Sequence, residues 1–173
     1  YLSKNYGKGY ACREGIKIST GDIILIQDAD LEYNPDNYPA LIKPIISNQA
    51  KVVYGSRIMP GGKRSRPNHI MIKLSKLANF FLTKLSNLLN GQRLTDAHTC
   101  YKVFSKDVIK NIELVENGFN FCPEITAKVS KLGFKIYEVG IDYQGRSYKD
   151  GKKIKIIDGF SAIVALLKYN IKI

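Results

Sequence analysis

The short run Ile23-Ile24-Leu25-Ile26 constrains this chain more than any other feature. It is too brief for a helix and apolar at every position, so it reads as a strand covered on both faces, as in a parallel sheet between helix layers. The run stops at Gln27-Asp28-Ala29-Asp30. The carboxyl ends of strands in open α/β sheets are where such folds hold ligands. Asn34-Pro35-Asp36 then offers a turn and a helix start. Tyr38, Leu41, Ile42, Ile45 and Ile46 keep helical spacing before Lys51-Val52-Val53-Tyr54 resumes a strand. Strand, helix, strand is the βαβ unit, whose crossover is right-handed in nearly all cases.

The rest of the chain continues the alternation. A Gly7-Lys8-Gly9 turn leads into a short helix over Tyr10 to Ser19, and Gly55 to Asn68 is a loop rich in Gly, Pro and Arg. From Ile70 to Leu89, positions 70, 74, 77, 81, 85 and 88 form an apolar stripe flanked by Lys73, Lys76 and Lys84. The stripe fits a core helix, the commoner case, and it also fits a helix lying on a membrane surface. Val103-Phe104 with a helix over Ser105 to Ile112, a helix over Asn120 to Leu132, and strand-like Phe134 to Val139 and Ile141 to Tyr143 follow. A basic loop spans Gly145 to Lys155, and Asp158 is placed to cap a last helix from Gly159 to Tyr169.

Composition narrows the classes. With 173 residues, 45% of them hydrophobic, the chain has the size and make-up of one folding domain rather than a disordered segment. Cys12, Cys100 and Cys122 are odd in number and far apart, which excludes a disulfide scaffold or a Cys-x-x-Cys knuckle and points to reduced thiols. No window is apolar enough to span a bilayer. The opening residues, Tyr1 to Gly9, read as the middle of a longer chain rather than as a signal sequence. A formal charge of +12 calls for an anionic partner, and nucleic acid, phospholipid headgroups and phosphorylated metabolites all satisfy it.

Asp28, Asp30 and Glu32 gather at the end of the apolar strand, where they would repel unless a cation offset them; Mg²⁺ or Mn²⁺ takes such oxygen ligands and bridges a diphosphate. On these residues alone a solvated turn is the favoured account of the triplet. Arg57, Lys63, Arg64 and Arg66 follow the second strand, and guanidinium forks suit phosphate. Lys63 reads as a solvated loop residue. His69 and His98 have no partner at metal-ligand spacing. Gly7-Lys8-Gly9 lacks the spacing of a P-loop.

Several words occur together and in order: Asn5-Tyr6-Gly7-Lys8-Gly9, Gly21-Asp22-Ile23-Ile24, Gln27-Asp28-Ala29-Asp30-Leu31-Glu32-Tyr33, Val53-Tyr54-Gly55-Ser56-Arg57, Thr95-Asp96, Thr99-Cys100-Tyr101-Lys102, Glu124-Ile125, and Tyr143-Gln144-Gly145-Arg146-Ser147-Tyr148 with Gly151-Lys152-Lys153. With these the chain resembles family 2 glycosyltransferases of the GT-A fold, most closely the dolichyl-phosphate mannose synthase-like branch. The resemblance implies an α/β fold with a mixed, mostly parallel Rossmann-like sheet flanked by helices. It also implies that residues 1–173 are a single domain, the C-terminal two thirds or so of a GT-A unit without its first strands. The family's base- and ribose-holding segments do not occur before Tyr1, and its Ser-Gly-Phe-Arg-like word is here Thr99-Cys100-Tyr101-Lys102, as in a bacterial-type sub-branch.

By the same resemblance, Asp28 and Asp30 form the Asp-x-Asp element for Mg²⁺ or Mn²⁺ and the donor diphosphate. Glu32 stands where relatives often carry a metal-assisting glutamine. Gly7, Lys8, Arg146 and Lys152 would join the donor side. Arg57, Arg64, Arg66 and Asp96 would receive the acceptor phosphate, and Asp30, Arg57 and Glu124 would stand at the reacting centre. The implied activity is inverting transfer of a hexose, mannose or glucose, from a nucleotide diphosphate sugar to a polyprenyl or dolichyl phosphate. It would occur at the cytoplasmic face of a membrane, with peripheral membrane contact and no nucleic acid partner. A phosphate acceptor is already anionic near neutral pH, so no obligatory base is required. A saccharide hydroxyl acceptor would instead need Glu124 or Asp96 as base. A basic binding module for nucleic acid or membrane is the non-enzymatic alternative; the scattered Tyr and Phe residues speak against nucleic acid.

Overall fold

Two small sheets organise the molecule, as seen in a computed structural model that describes residues 3–65, 70–146 and 156–171. The main sheet has the order β1 (Ile23–Ile26), β4 (Lys102–Ser105), β2 (Val52–Ser56), β5 (Ile136–Gly140). β4 runs antiparallel to both its neighbours, and β2 and β5 are parallel. Hence β1, β2 and β5 share one direction and β4 alone opposes it. β1 and β2 are the two strands of the expected βαβ unit, but β4 lies between them. Every residue of β2 and β4 is buried, which suits the two central positions; β1, at the sheet edge, is buried only at alternate residues.

Helices cover the faces. α1 (Lys8–Ile18) starts two residues earlier than the sequence indicates, because Gly7 takes φ 99°. A Cβ on Gly7 would lie 2.4 Å from the Asn117 carbonyl oxygen, so glycine permits a close approach to the 116–117 loop. A 3₁₀ turn over Pro35–Asn37, capped by the Asn34 side chain on the Asp36 N–H, leads into α2 (Tyr38–Ile46). Leu41 and Ile45 of α2 enter the core while Ile46 stays exposed. α4 (Lys106–Ile109) is shorter than expected, and α5 (Phe121–Lys131) packs beside α3 (Ile70–Asn90) and α6 (Ile156–Asn170). α6 begins before Asp158, so that residue lies inside the helix and is not its cap.

The loop after β2 is not wholly irregular. β3 (Arg64–Ser65) pairs in parallel with β6 (Tyr143–Gln144), fixed by Tyr143 N–H to Lys63 O and Gly145 N–H to Ser65 O, each at 2.9 Å. Gly62 makes this possible: a Cβ there would meet the Ile141 carbonyl oxygen at 2.0 Å.

α3 departs furthest from expectation as a core helix. Its inward side carries Thr83, 3% exposed, and Ser86, 1% exposed, whereas Leu74, Leu77, Phe81 and Leu88 of the apolar stripe face out. The inward polar groups are used. Asn79 donates to Asp96, Ala97 N–H donates to the Thr83 hydroxyl, and Asn87 exchanges two hydrogen bonds with the Leu94 backbone. Among the described residues no helix is long and apolar enough to cross a membrane. The three cysteines are free, with Cys100 and Cys122 buried.

Candidate functional site

β1 ends where the sheet gives out, and its acidic continuation turns on Leu31, whose φ of 59° is rare for a side chain of this kind. The turn lets the Glu32 N–H donate to the Asp30 carboxylate at 3.2 Å. Burial pushes the Asp30 carboxyl up; the Glu32 N–H counters this, the Glu32 carboxylate adds to it, and Arg146 and Asp28 act in opposite senses.

The expected gathering of Asp28, Asp30 and Glu32 into one ligand set is not what the structure shows. Among the described residues no group of three His, Cys, Asp or Glu side chains is placed to hold a metal ion. Two side-chain cations offset the three carboxylates, Lys8 at Asp28 and Arg146 between Asp30 and Glu32, which relieves part of the repulsion that a bound cation would otherwise relieve. The Lys8 ammonium lies 2.7 Å from Asp28, the Arg146 guanidinium 2.7 Å from Asp30, and Arg146 Nε 3.3 Å from Glu32. The donor set still fits a hard divalent cation in kind: Asp28 and Asp30 are partly exposed carboxylates, two positions apart, the oxygen donors such an ion takes.

Arg57 leaves the end of β2 and meets Asp96 in a two-pronged ion pair, Nε to Oδ2 at 2.7 Å and Nη2 to Oδ1 at 2.8 Å, with its backbone N–H also on Oδ2. Burial works against the Arg57 charge, and the Asp96 carboxylate more than offsets it. Burial likewise pushes the Asp96 carboxyl up, but Arg57 and Asn79 outweigh it and hold it at about 2. Asp96 therefore positions Arg57 and has its oxygens engaged.

One tyrosine joins the two halves. The Tyr143 hydroxyl donates to Glu32 at 3.0 Å, and the Arg57 guanidinium lies over the Tyr143 ring, 5.3 Å from its centre. Glu32 also accepts from the Arg146 N–H at 2.9 Å. A cleft of about 550 Å³ opens here, lined by Glu32, Lys63, Arg64 and Tyr143 among others.

The remaining sequence candidates fall in different places. Arg64 is exposed at the cleft and donates to the Ile58 carbonyl at 2.9 Å. Arg66, His69, Lys152 and Lys153 lie outside the described residues. Glu124 is buried and receives the N–H groups of Val115 and Glu116 and the Lys128 ammonium, at 2.7 to 2.9 Å. These bonds anchor the 115–117 loop. Gly7, expected on the donor side, packs on that same loop and so seats Lys8. His98 is neutral, its imidazole held down to about 4 by burial and by Lys102.

Two residues of the site escaped the sequence. Glu138 on β5 accepts from the N–H groups of Thr95 and Asp96 and from the Thr95 hydroxyl, fixing the segment that carries Asp96. Asn79 supports Asp96 from α3. Neither stands in a recognisable word. A carboxylate alternating on an exposed strand and an amide on a helix are ordinary surface residues until their partners are known.

The sequence profile of Glycosyl transferase family 2 matches residues 1–113. The low-salt glycan biosynthesis hexosyltransferase Agl6 of Haloferax volcanii is 30% identical over 144 residues, covering 81% of this chain and 33% of its own. The UDP-N-acetylglucosamine–dolichyl-phosphate N-acetylglucosaminyltransferase of Methanococcus voltae is 31% identical over 171 residues, covering 95% and 66%. Among solved structures, glucosyl-3-phosphoglycerate synthase of Mycobacterium tuberculosis superposes with a TM-score of 0.67 at 17% identity, over 95% of this chain and 55% of that one. The same enzyme with Mn²⁺ and UDP-glucose gives 0.64 at 16% identity, over 95% and 54%. The chain thus spans between a third and two thirds of these curated relatives and about half of the solved neighbour. The structural likeness shows a shared GT-A fold, and the profile match over residues 1–113 shows that the chain belongs to glycosyltransferase family 2.

Proposed function

We propose that the protein carrying this chain transfers a hexosyl or N-acetylhexosaminyl group, with inversion, from a nucleotide diphosphate sugar to a polyprenyl phosphate. Residues 1–173 are read as one domain, the C-terminal part of the catalytic unit. The observation that carries the reading is the continuous sequence of contacts Asp30–Arg146–Glu32–Tyr143–Arg57–Asp96, which sets an acidic turn on one side of a tyrosine and a braced guanidinium on the other. The Haloferax and Methanococcus relatives are described as a hexosyltransferase and a transferase acting on dolichyl phosphate, and the solved neighbour was crystallised with UDP-glucose and Mn²⁺.

In this reading Asp28 and Asp30, with Glu32 behind them, would hold Mg²⁺ or Mn²⁺, which when bound offsets the charge of the donor diphosphate. Arg57 and Arg64 orient the acceptor phosphate, and Asp96 acts by bracing Arg57. An acceptor phosphate oxygen forms the bond to the anomeric carbon as the bond from that carbon to the diphosphate oxygen breaks, the electron pair leaving with the nucleoside diphosphate. Arg146 and Lys8, released from the carboxylates, move to that departing charge, the point where electrostatic stabilisation does most. No base is needed, which agrees with the full engagement of Glu124 and Asp96. A saccharide hydroxyl acceptor would require one of these two to be free.

The test is transfer of labelled sugar, from UDP- and GDP-sugars in turn, to polyprenyl phosphate in the presence of Mn²⁺ or Mg²⁺. Asp28→Asn with Asp30→Asn is expected to abolish it. Undiminished transfer by that double variant would remove the diphosphate-site assignment, and transfer to a free saccharide but not to the lipid phosphate would replace the acceptor.

A further inference from the structure

Among the described residues, the Glu32 carboxylate is held by three donors. The Tyr143 hydroxyl lies at 3.0 Å, the Arg146 N–H at 2.9 Å and Arg146 Nε at 3.3 Å. A divalent cation at the acidic turn would draw on these same oxygens, so donors now served by Glu32 would need other acceptors. A donor left without one inside the protein is costly. Arg146 has a long side chain and can turn to the donor diphosphate. Tyr143 cannot follow it. Its backbone is tied to β3 and bridges to Tyr33, and its ring stands edge-on to the Tyr33 ring with centres 5.3 Å apart. Tyr33 is itself fixed, its hydroxyl accepting from the Cys100 N–H at 3.0 Å and its ring lying 4.8 Å from that of Tyr101. The Tyr143 ring therefore stays in place, and only the partner of its hydroxyl can change.

The surroundings select the new partner. Tyr143 lines the cleft of about 550 Å³ together with Lys63 and Arg64, and the Arg57 guanidinium lies over its ring. Asp142, on the same wall, is engaged by the Lys63 N–H. An oxygen that reaches the Tyr143 hydroxyl from outside thus arrives close to two arginines, surroundings that favour a phosphate over a neutral hydroxyl. We propose that Tyr143 is a further acceptor-binding residue: its hydroxyl donates to Glu32 before a divalent cation binds the acidic turn, and to the acceptor phosphate once one is bound. The proposal rests on the phosphate-acceptor reading above and deepens it, since one phenol then makes phosphate affinity beside Arg57 depend on the state of the carboxylates across the cleft.

The test is isothermal titration calorimetry of geranyl phosphate, a soluble isoprenyl monophosphate, into the wild-type protein and Tyr143→Phe, each with and without Mg²⁺. Phenylalanine keeps the ring against Tyr33 and Arg57, and a cooperative thermal melt checks that the variant is folded. Without Mg²⁺ the two proteins are expected to bind alike, because the hydroxyl is then given to Glu32. Mg²⁺ is expected to tighten binding to both through its charge, and to the wild type by about five- to tenfold more than to the variant, the contribution of a hydrogen bond to a charged group. Equal tightening in the two proteins overturns the proposal and leaves the phosphate-acceptor reading standing. So does a variant weakened by the same factor with and without Mg²⁺, whose hydroxyl would be a fixed phosphate contact that Glu32 does not claim. Geranyl phosphate that fails to bind the wild type under either condition removes the acceptor reading and the proposal together.

Discussion

Arg57 and Asp96 show how differently a residue and its role are legible. Both stand in recognisable words of the sequence, yet nothing in a separation of 39 residues tells that Asp96 receives three hydrogen bonds from Arg57, or that Glu138 and Asn79 hold that pair in place. Asp96→Asn is expected to destabilise the protein by about 3 to 5 kcal/mol, since it strands a buried guanidinium, and urea denaturation measures this. The pH dependence follows from the same pair. The Asp96 carboxyl is depressed to about 2 in the folded protein, so its stabilisation is present above the unfolded value of about 4 and is lost as pH falls between the two. A thermal melt against pH should show that loss in the wild type and not in Asp96→Asn. Glu124 makes the complementary case: its word matched, but the oxygens are spent on backbone N–H groups and Lys128. Glu124→Gln is expected to lower stability by about 1 to 3 kcal/mol while leaving kcat of the folded fraction unchanged, because it replaces an acceptor by a donor facing Lys128.

At the scale of elements, the apolar periodicity located α3 almost to the residue and left its orientation open between core and surface. A period says which side chains share a side of a helix; it does not say which side is turned inward. Here Asn79, Thr83 and Asn87 find partners beyond the helix and Ser86 accepts from Asn90 one turn on, so the polar stripe costs little to bury, and Leu74, Leu77 and Leu88 are turned outward. The two sides respond differently to substitution. Thr83→Val keeps the shape but removes the acceptor of the Ala97 N–H, and is expected to cost about 1 to 3 kcal/mol in urea denaturation. Leu77→Asp on the outward side is expected to stay within about 0.5 kcal/mol in the absence of membrane. The strands were easier to read than their order. Burial of Val52–Tyr54 and of Val103-Phe104 matches their apolar runs, while the buried Lys102 at the start of β4, and β4's place between β1 and β2, are long-range features that no local pattern encodes.

Over the whole molecule, the site exists because four distant stretches, 27–32, 56–57, 95–96 and 142–146, meet at one end of the sheet. Their words were visible one by one; their contact depends on β5 leading into β6 beside the loop that follows β2, which only the assembled sheet supplies. That meeting brings Arg146 onto Asp30 and Glu32, the carboxylates that a divalent cation would claim. Two cations cannot share those oxygens at full strength, so the side chain and the metal compete. The pair is partly exposed, and such contacts are worth about 0.5 to 1 kcal/mol, equivalent to roughly a two- to fivefold change in an equilibrium constant. Arg146→Ala is therefore expected to bind Mn²⁺ about two- to fivefold more tightly than the wild type, read by electron paramagnetic resonance of bound Mn²⁺ without donor or acceptor present. The same variant is expected to transfer sugar more slowly, because the guanidinium released by the metal is then missing where the nucleoside diphosphate departs. Equal Mn²⁺ affinity in the two proteins would mean that Arg146 and the metal occupy separate places, and the acidic turn would need a different arrangement from the one proposed.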